Sequence, residues 1–299
     1  YENTPGANFS GPKTGRIVRG TVVGDMASES GKVVLVGTVG GSLSTPSCAD
    51  FLTTADCIPS DSPSHTVGGL RFGPDGKLYA TTGDGAHFDF PDPKSLNAQN
   101  IDSLAGKLLR INTDGTAPLD NPFYNGDPGA NRSKVYALGL RNAFPLNFNS
   151  ATGDLFLGDV GWSSWEEINL VTPGANFGWP CREGNVNTSH NCTPVSAATD
   201  PLYTYPHDAA GAGSITAGAF GANGAYPAAY GTSFFFGDYA QNWIKRLVLD
   251  ANNAVVSVEN FMADPNGPNG PVDISTGPDG TIYYISIYTG ELNRLTHTT

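Results

Sequence analysis

The chain has 299 residues, with 16 Lys and Arg against 28 Asp and Glu, a formal net charge of −12 at pH 7 and 39% hydrophobic residues. Such a length can bury a large core in one all-β domain. The acidic balance, with no basic run, argues against nucleic acid as a partner, because its phosphates would be repelled. No apolar stretch approaches the roughly 20 residues of a bilayer-spanning helix, so no membrane span is expected.

The chain begins at Tyr1, with no Met and no signal-peptide pattern, as a processed protein or a piece of a longer one would. Short runs rich in Val, Ile, Tyr and Phe, punctuated by Gly and Pro, predict strands over 17–23, 32–38, 69–72, 77–82, 107–112, 135–140 and 154–158. They continue over 167–171, 214–220, 233–236, 243–249, 255–261, 272–276 and 281–287. Helix is nearly absent. Residues 94–105 are the one candidate, and Asn100-Ile-Asp-Ser-Leu104 within them reads equally well as an extended loop. Cys48/Cys57 and Cys181/Cys192 are two close pairs, each closing a stretch of loop-like composition, and neither has zinc-ligand spacing. Two disulfides are expected, and with them an oxidising, extracytoplasmic compartment. The Asn-X-Ser/Thr sequons at Asn8, Asn131, Asn187 and Asn191 carry meaning only in a host that glycosylates.

Two hairpins carry chemistry. In the first, His65 to Phe72 turns at Gly73-Pro-Asp-Gly76 and returns through Lys77 to Asp84. An antiparallel register counted outward from Pro74-Asp75 sets His65 opposite Asp84. In the second, Arg141-Asn142 leads through Ala143 to Phe148, turns over 149–153 and returns to Gly161-Trp162. Its register sets Arg141 and Asn142 opposite Trp162 and Gly161. A base with a carboxylate, and a cation and an amide beside main-chain carbonyls, are the parts of an oxidation site. The Gly-Pro-Asp-Gly turn returns at Gly277–Gly280, and Lys-Leu-Tyr-Ala after the first copy matches Thr-Ile-Tyr-Tyr after the second. A repeated turn and hairpin predict a β-propeller, where a two-sheet sandwich would give similar strand lengths without the repeat. With no dividing linker, 1–299 is expected to be a single propeller domain.

The His65 hairpin, Leu104-Ala-Gly-Lys-Leu-Leu-Arg-Ile-Asn112, Asp120-Asn-Pro-Phe-Tyr124 and Leu138-Gly-Leu-Arg-Asn142 form an ordered set of motifs. Trp165-Glu-Glu-Ile-Asn169, Gly174-Ala-Asn-Phe-Gly-Trp-Pro180 and Phe235-Phe-Gly-Asp-Tyr239 complete it. Together they resemble the soluble, pyrroloquinoline quinone (PQQ)-dependent glucose/sorbosone (aldose sugar) dehydrogenases. The resemblance implies an all-β, six-bladed propeller, with this chain lacking the first blade or part of it. It implies a secreted or periplasmic oxidoreductase that converts the C1 hydroxyl of an aldose to a lactone, with PQQ and Ca2+ as cofactors and an external electron acceptor. By the same resemblance His65 is the general base, Asp84 orients it, and Arg141 and Asn142 contact the quinone. Gly161 and Trp162 supply main-chain carbonyls to calcium.

These roles suit the residue types. Imidazole exchanges a proton near working pH, and a facing carboxylate fixes its tautomer. Guanidinium is a permanent cation for a developing oxyanion. Calcium takes hard oxygen ligands. The chain also departs from the family pattern: Ala240 stands where a Lys is expected, and Gly270-Pro271-Val272 where two Arg flank a Tyr. Those cations pair with the carboxylates of the cofactor. An alternative reading is therefore a non-enzymatic propeller that binds a carbohydrate or protein ligand through a degenerate cofactor site. Trp162, Trp165 and Trp179 read as packing residues, His207 as a loop residue near the open face, and His87, His190 and His297 as solvated.

Overall fold

The computed structural model describes residues 13–39, 47–62, 64–89, 93–190, 195, 197–221, 224–231, 233–262 and 267–297. The chain divides into two compact units. One comprises residues 1–142, 173–182 and 188–199, and the other residues 143–172, 183–187 and 200–299.

In the first unit, strands Val67–Phe72, Leu78–Thr82, Lys107–Ile111 and Val135–Leu138 lie side by side in chain order, each antiparallel to the next. Every residue of the two central strands is buried, as expected of strands covered on both faces. Ile17, Leu35, Ile58, Leu78, Leu109, Ile111 and Val135 meet in the core of this unit. Small two-stranded pairs (Ile17–Arg19 with Val33–Val36, Thr14–Gly15 with Ile58–Pro59) precede the sheet. The expected strand over 17–23 is broken after Arg19.

The second unit holds three antiparallel meanders. Their strands are Ala143–Phe148, Leu155–Asp159, Trp165–Val171 and Tyr203–Pro206; then Ile215–Phe220, Ser233–Asp238, Trp243–Leu249 and Val255–Asn260; then Pro271–Thr276, Ile282–Ser286 and Glu291–Leu295. The sheets pack face on face as propeller blades do. Phe156 of the first meets Phe220 edge-on (4.9 Å between centroids) and Phe234 (5.3 Å) of the second. Phe235 and Ile244 of the second pack with Ile274, Ile282 and Tyr284 of the third.

Both Gly-Pro-Asp-Gly turns close in the same way. The Gly73 N–H donates to the Lys77 carbonyl (2.9 Å), and Gly277 donates to Thr281 (2.8 Å). Asp75 accepts from the Lys77 N–H and the Tyr79 hydroxyl, as Asp279 does from Thr281 and Tyr283. Each aspartate also pairs with an arginine two strands away, Arg110 or Arg294, at 2.8 Å. The repeat seen in the sequence is thus a repeat of contacts.

The helix candidate resolves into a 3-10 segment, Pro93–Gln99, followed by irregular chain. Cys48 and Cys57 form a disulfide, with Cα atoms 5.7 Å apart. Cys192, Asn8 and Asn191 lie outside the described residues. Asn131 is buried and its Nδ2 donates to the carbonyls of Ala55 and Asp102, so that sequon is structural. No helix among the described residues is long and apolar enough to cross a membrane.

Candidate active site

His65 and Asp84 face each other, by way of two compensating offsets. The turn puts Gly76 in the left-handed region (φ 72°), which adds a residue to the returning strand. Near the tip, Phe72 therefore pairs with Leu78 and Leu70 with Ala80, one position off the expected register. An irregularity between Val67 and Leu70 adds a residue to the first strand and restores it, so Val67 pairs with Thr82.

Beyond that pair the backbone is stitched closely. The Gly83 N–H donates to the Thr66 carbonyl (2.6 Å), Gly85 N–H to the His65 carbonyl (3.1 Å) and Asp84 N–H to the Arg141 carbonyl (2.8 Å). A Cβ on Gly83 would overlap the His65 carbonyl group, so the approach requires glycine there. His65 itself adopts φ 59°. For a residue with a Cβ this conformation costs about 1–2 kcal/mol, a strain that persists only where surrounding contacts impose it.

The side chains form a buried chain of contacts. His65 Nδ1 lies 2.7 Å from Asp84 Oδ1, which also accepts the Ala86 N–H at 2.9 Å. The Trp179 indole Nε1–H donates to Asp84 Oδ2 at 2.7 Å. A carboxylate facing Nδ1 favours the tautomer with the proton on that nitrogen, in which Nε2 is the basic one. The Arg141 guanidinium lies over the Trp179 ring, 5.4 Å from its centroid, and donates to the Phe88 carbonyl at 3.0 Å. His65, Asp84 and Arg141 are 3%, 0% and 4% exposed, so their charges and dipoles act in a poorly solvated setting. Gln99 Nε2 donates to the Trp179 carbonyl at 2.7 Å and so ties the 3-10 segment to the same group.

Trp179 packs as expected, 4% exposed with Arg141 and His190 against its ring. Its N–H also orients the carboxylate, a role that the sequence reading did not assign. His190 differs from expectation in packing edge-on against Trp179 (5.7 Å). His87 lies in a loop as expected, 33% exposed, and stacks on the exposed Phe88 (4.7 Å).

In the second unit the hairpin register follows expectation from Phe148↔Leu155 to Leu146↔Leu157. A bulge then shifts it by one, so Ala143 pairs with Asp159 and the ladder stops there. Arg141 and Asn142 precede the first of these strands, and Gly161 and Trp162 follow the second. Gly161 and Trp162 begin a loop wrapped around one carboxylate. Glu183 Oε1 accepts the N–H groups of Trp162 (2.8 Å), Ser163 (2.9 Å), Ser164 (2.9 Å) and Trp165 (3.2 Å).

Beneath the loop, Glu166 Oε1 accepts from Gly161 N–H and lies 2.8 Å from His207 Nε2, while Oε2 accepts from Ile215 N–H. His207 is thus bonded to a buried acid. Burial pushes its pKa down, and the bond to Glu166 and the charge of Glu166 more than offset this, so the net shift is upward. No group of three His, Cys, Asp or Glu side chains among the described residues is placed to hold a metal ion.

Glu167 pairs with Asp159 across the sheet. Burial, and then the Asp159 charge, raise its pKa. The folded state thus holds a proton that the unfolded chain releases, and stability falls as pH rises from the ordinary carboxylate range to about 8. Asn169 donates to Glu167 at 3.1 Å, and its own Oδ1 is buried without a partner, so a turned amide can accept a proton from that side. In metal-free buffer the melting temperature is expected to drop by several degrees between about pH 5 and pH 8. Glu167→Gln should flatten that slope and melt higher than wild type at pH 8. An unchanged slope in thermal unfolding would assign the pH dependence elsewhere.

The sequence profile of the family described as Glucose / Sorbosone dehydrogenase matches residues 24–294. The chain is similar to the HIPL2 protein of Arabidopsis thaliana, at 32% identity over 250 residues, covering 72% of this chain and 35% of that one. It is also similar to quinoprotein glucose dehydrogenase B of Acinetobacter calcoaceticus, at 38% identity over 135 residues, covering 41% of this chain and 27% of that one. A solved glucose dehydrogenase superposes with a TM-score of 0.72 at 25% identity, over 94% of this chain and 73% of that one. The chain spans well under two thirds of the length of either curated relative. Its all-β sheets are those of the sugar dehydrogenase β-propellers. On the strength of a profile match running nearly end to end, the chain belongs to the glucose/sorbosone dehydrogenase family.

Proposed function

We propose that this chain oxidises the C1 hydroxyl of an aldose to a lactone, outside the cytoplasm, with PQQ and Ca2+ as cofactors and an external electron acceptor. The observation that carries this reading is the His65–Asp84–Trp179 arrangement with Arg141 against the same indole. His65 Nε2 takes the hydroxyl proton as the C1–H bond breaks and the C1=O bond forms, and Asp84 stabilises the imidazolium that results. When bound, the quinone would accept the hydride and calcium would polarise it. Arg141 and Asn142 would face the quinone oxygens, and the carbonyls of Gly161 and Trp162 would hold the ion.

Charge supports a cation site. The second unit carries 14 acidic residues against three Lys or Arg, so nearly all of the net charge lies there. The Cys48–Cys57 disulfide supports an oxidising compartment.

One feature of the chain favours the second reading, a carbohydrate- or protein-binding propeller. The three basic residues of the second unit are all engaged. Arg246 pairs with Glu259, Arg294 pairs with Asp279, and Lys245 lies 4.1 Å from the Trp243 ring centroid. With Ala240 and Gly270-Pro271-Val272 in place of the family's cations, the cofactor carboxylates lose their partners, each worth roughly 1.5–3 kcal/mol. We therefore propose a dehydrogenase with weak quinone affinity.

The test is to titrate purified protein with calcium and PQQ, then add glucose and other aldoses and follow quinone reduction. Reduction with at least one aldose is the expected result. No spectral change and no thermal stabilisation at saturating cofactor would overturn this reading and favour the binding module.

Arg141→Ala is expected to weaken quinone binding by at least about tenfold, as loss of a charged hydrogen bond does, and to lower kcat as well. Arg141→Lys should restore little, because an ammonium neither forks nor stacks on Trp179 as guanidinium does. Fluorescence titration and steady-state kinetics measure both effects.

A further inference from the structure

We infer that Glu183 is a positioning residue, whose carboxylate turns the main-chain carbonyls of Gly161 and Trp162 toward a divalent cation. The inference rests on the calcium reading proposed above and deepens it. In a trans peptide the N–H and C=O point in opposite directions. The Gly161 carbonyl shares its peptide with the Trp162 N–H, and the Trp162 carbonyl shares its peptide with the Ser163 N–H. Both N–H groups donate to Glu183 Oε1, at 2.8 and 2.9 Å. Both carbonyls are therefore directed away from Glu183.

The next peptides obey the same rule. The Ser164 N–H and the Trp165 N–H also donate to Glu183 Oε1, and the Ser164 carbonyl, directed away, accepts the His207 N–H at 3.0 Å. Four consecutive N–H groups converging on one oxygen make an anion nest, here filled by the protein's own side chain. The carboxylate is 5% exposed, so its hydrogen bonds are not traded for water. Gly184 fixes the next peptide by donating to Glu167 Oε1 at 2.7 Å. The outcome is a loop whose main-chain N–H groups from Gly161 to Trp165 are all taken by carboxylates, with the Gly161 and Trp162 carbonyls turned away from Glu183 as ligands to a hard cation would be.

The roles of charge and position separate by substitution. Glu183→Gln keeps an acceptor oxygen for the nest and removes the charge, whereas Glu183→Ala removes both. Glu259→Ala removes a charge from an exposed ion pair of the same unit and serves as the control. Calcium affinity is read by calorimetry on the full chain and by terbium luminescence sensitised through Trp162 and Trp165. Amide hydrogen exchange of Trp162–Trp165 is followed without metal.

Glu183→Ala should weaken calcium binding by at least tenfold and speed exchange of those four amides by at least tenfold. Glu183→Gln and Glu259→Ala should stay within about threefold of wild type for both readouts. Equal calcium binding and equal amide exchange in wild type and a folded Glu183→Ala would overturn the inference alone. Glu183→Gln as weak as Glu183→Ala would overturn it too, by showing that charge rather than loop geometry holds the ion. Wild type that binds neither calcium nor terbium would overturn the calcium reading and this inference together.

Discussion

Replacing His65 by Ala is expected to lower kcat with aldose by about 10²–10⁴-fold, the usual contribution of a positioned general base, while quinone and calcium affinities stay close to wild type. The separation follows from how the site is built. Asp84 keeps two of its bonds without the imidazole, from the Ala86 N–H and the Trp179 indole, so the carboxylate and the indole under Arg141 stay in place. The carbonyl of residue 65 is held by the Gly85 N–H and that of Thr66 by the Gly83 N–H, main-chain bonds that Ala retains. Ala also keeps a Cβ, so the left-handed conformation is no easier and no harder to hold than before. The measurements are single-turnover quinone reduction beside quinone titration, with thermal unfolding as the control for folding. A variant that keeps most of its activity would place the base on another residue. A variant that loses quinone binding in step with kcat would make His65 a cofactor contact instead.

The legibility of this site depended on the distance over which each relation had to be read. The two Gly-Pro-Asp-Gly turns are local, and they form as their residue types demand, down to the Asp75–Arg110 and Asp279–Arg294 pairs. His65 opposite Asp84 needed a count across one hairpin. The count succeeded although neither the left-handed Gly76 nor the irregularity at Gly68-Gly69 had been anticipated, because the two shifts cancel. In the second hairpin only one such shift occurs, and the same method misses by a residue at Ala143.

Trp179 was beyond this method. It reaches Asp84 from 95 residues away, and nothing in its neighbourhood distinguishes an indole that packs from one that donates. The nest around Glu183 was equally hidden, since a carboxylate in a loop between two cysteines reads as solvated. Glu291–Leu295 escaped as a strand because its residues are mostly exposed and lack the alternation that marks a half-buried one.

Lys107→Met is expected to destabilise the protein by about 3–5 kcal/mol, because three buried carbonyls lose their donor at about 1–3 kcal/mol each while the cost of burying the ammonium is relieved. For a chain of this size that lowers the melting temperature by roughly 10 °C. Lys107 is fully buried on a central strand, and its Nζ donates to the carbonyls of Asn97 (2.8 Å), Ala98 (3.0 Å) and Ala105 (2.6 Å). Burial pushes its pKa down to about 7, and three acceptors, one for each N–H of the ammonium, favour the charged form.

Two of those carbonyls end the 3-10 segment Pro93–Gln99, where a cation also meets the negative pole of the turn. Met fills the same volume but leaves all three oxygens without their donor in a space with little room for water. The consequence reaches the candidate site. Gln99, in the last turn of that segment, holds the Trp179 carbonyl and Asn176, and Gly106 beside Lys107 donates to the Gly83 carbonyl. Loosening the segment should therefore relax the indole that orients Asp84. The variant is expected to lose part of its kcat at temperatures well below its own melting transition. Circular dichroism melts and kinetics at 15 °C separate the two effects. A variant that melts earlier yet turns over normally in the cold would confine Lys107 to stability and uncouple the 3-10 segment from the chemistry.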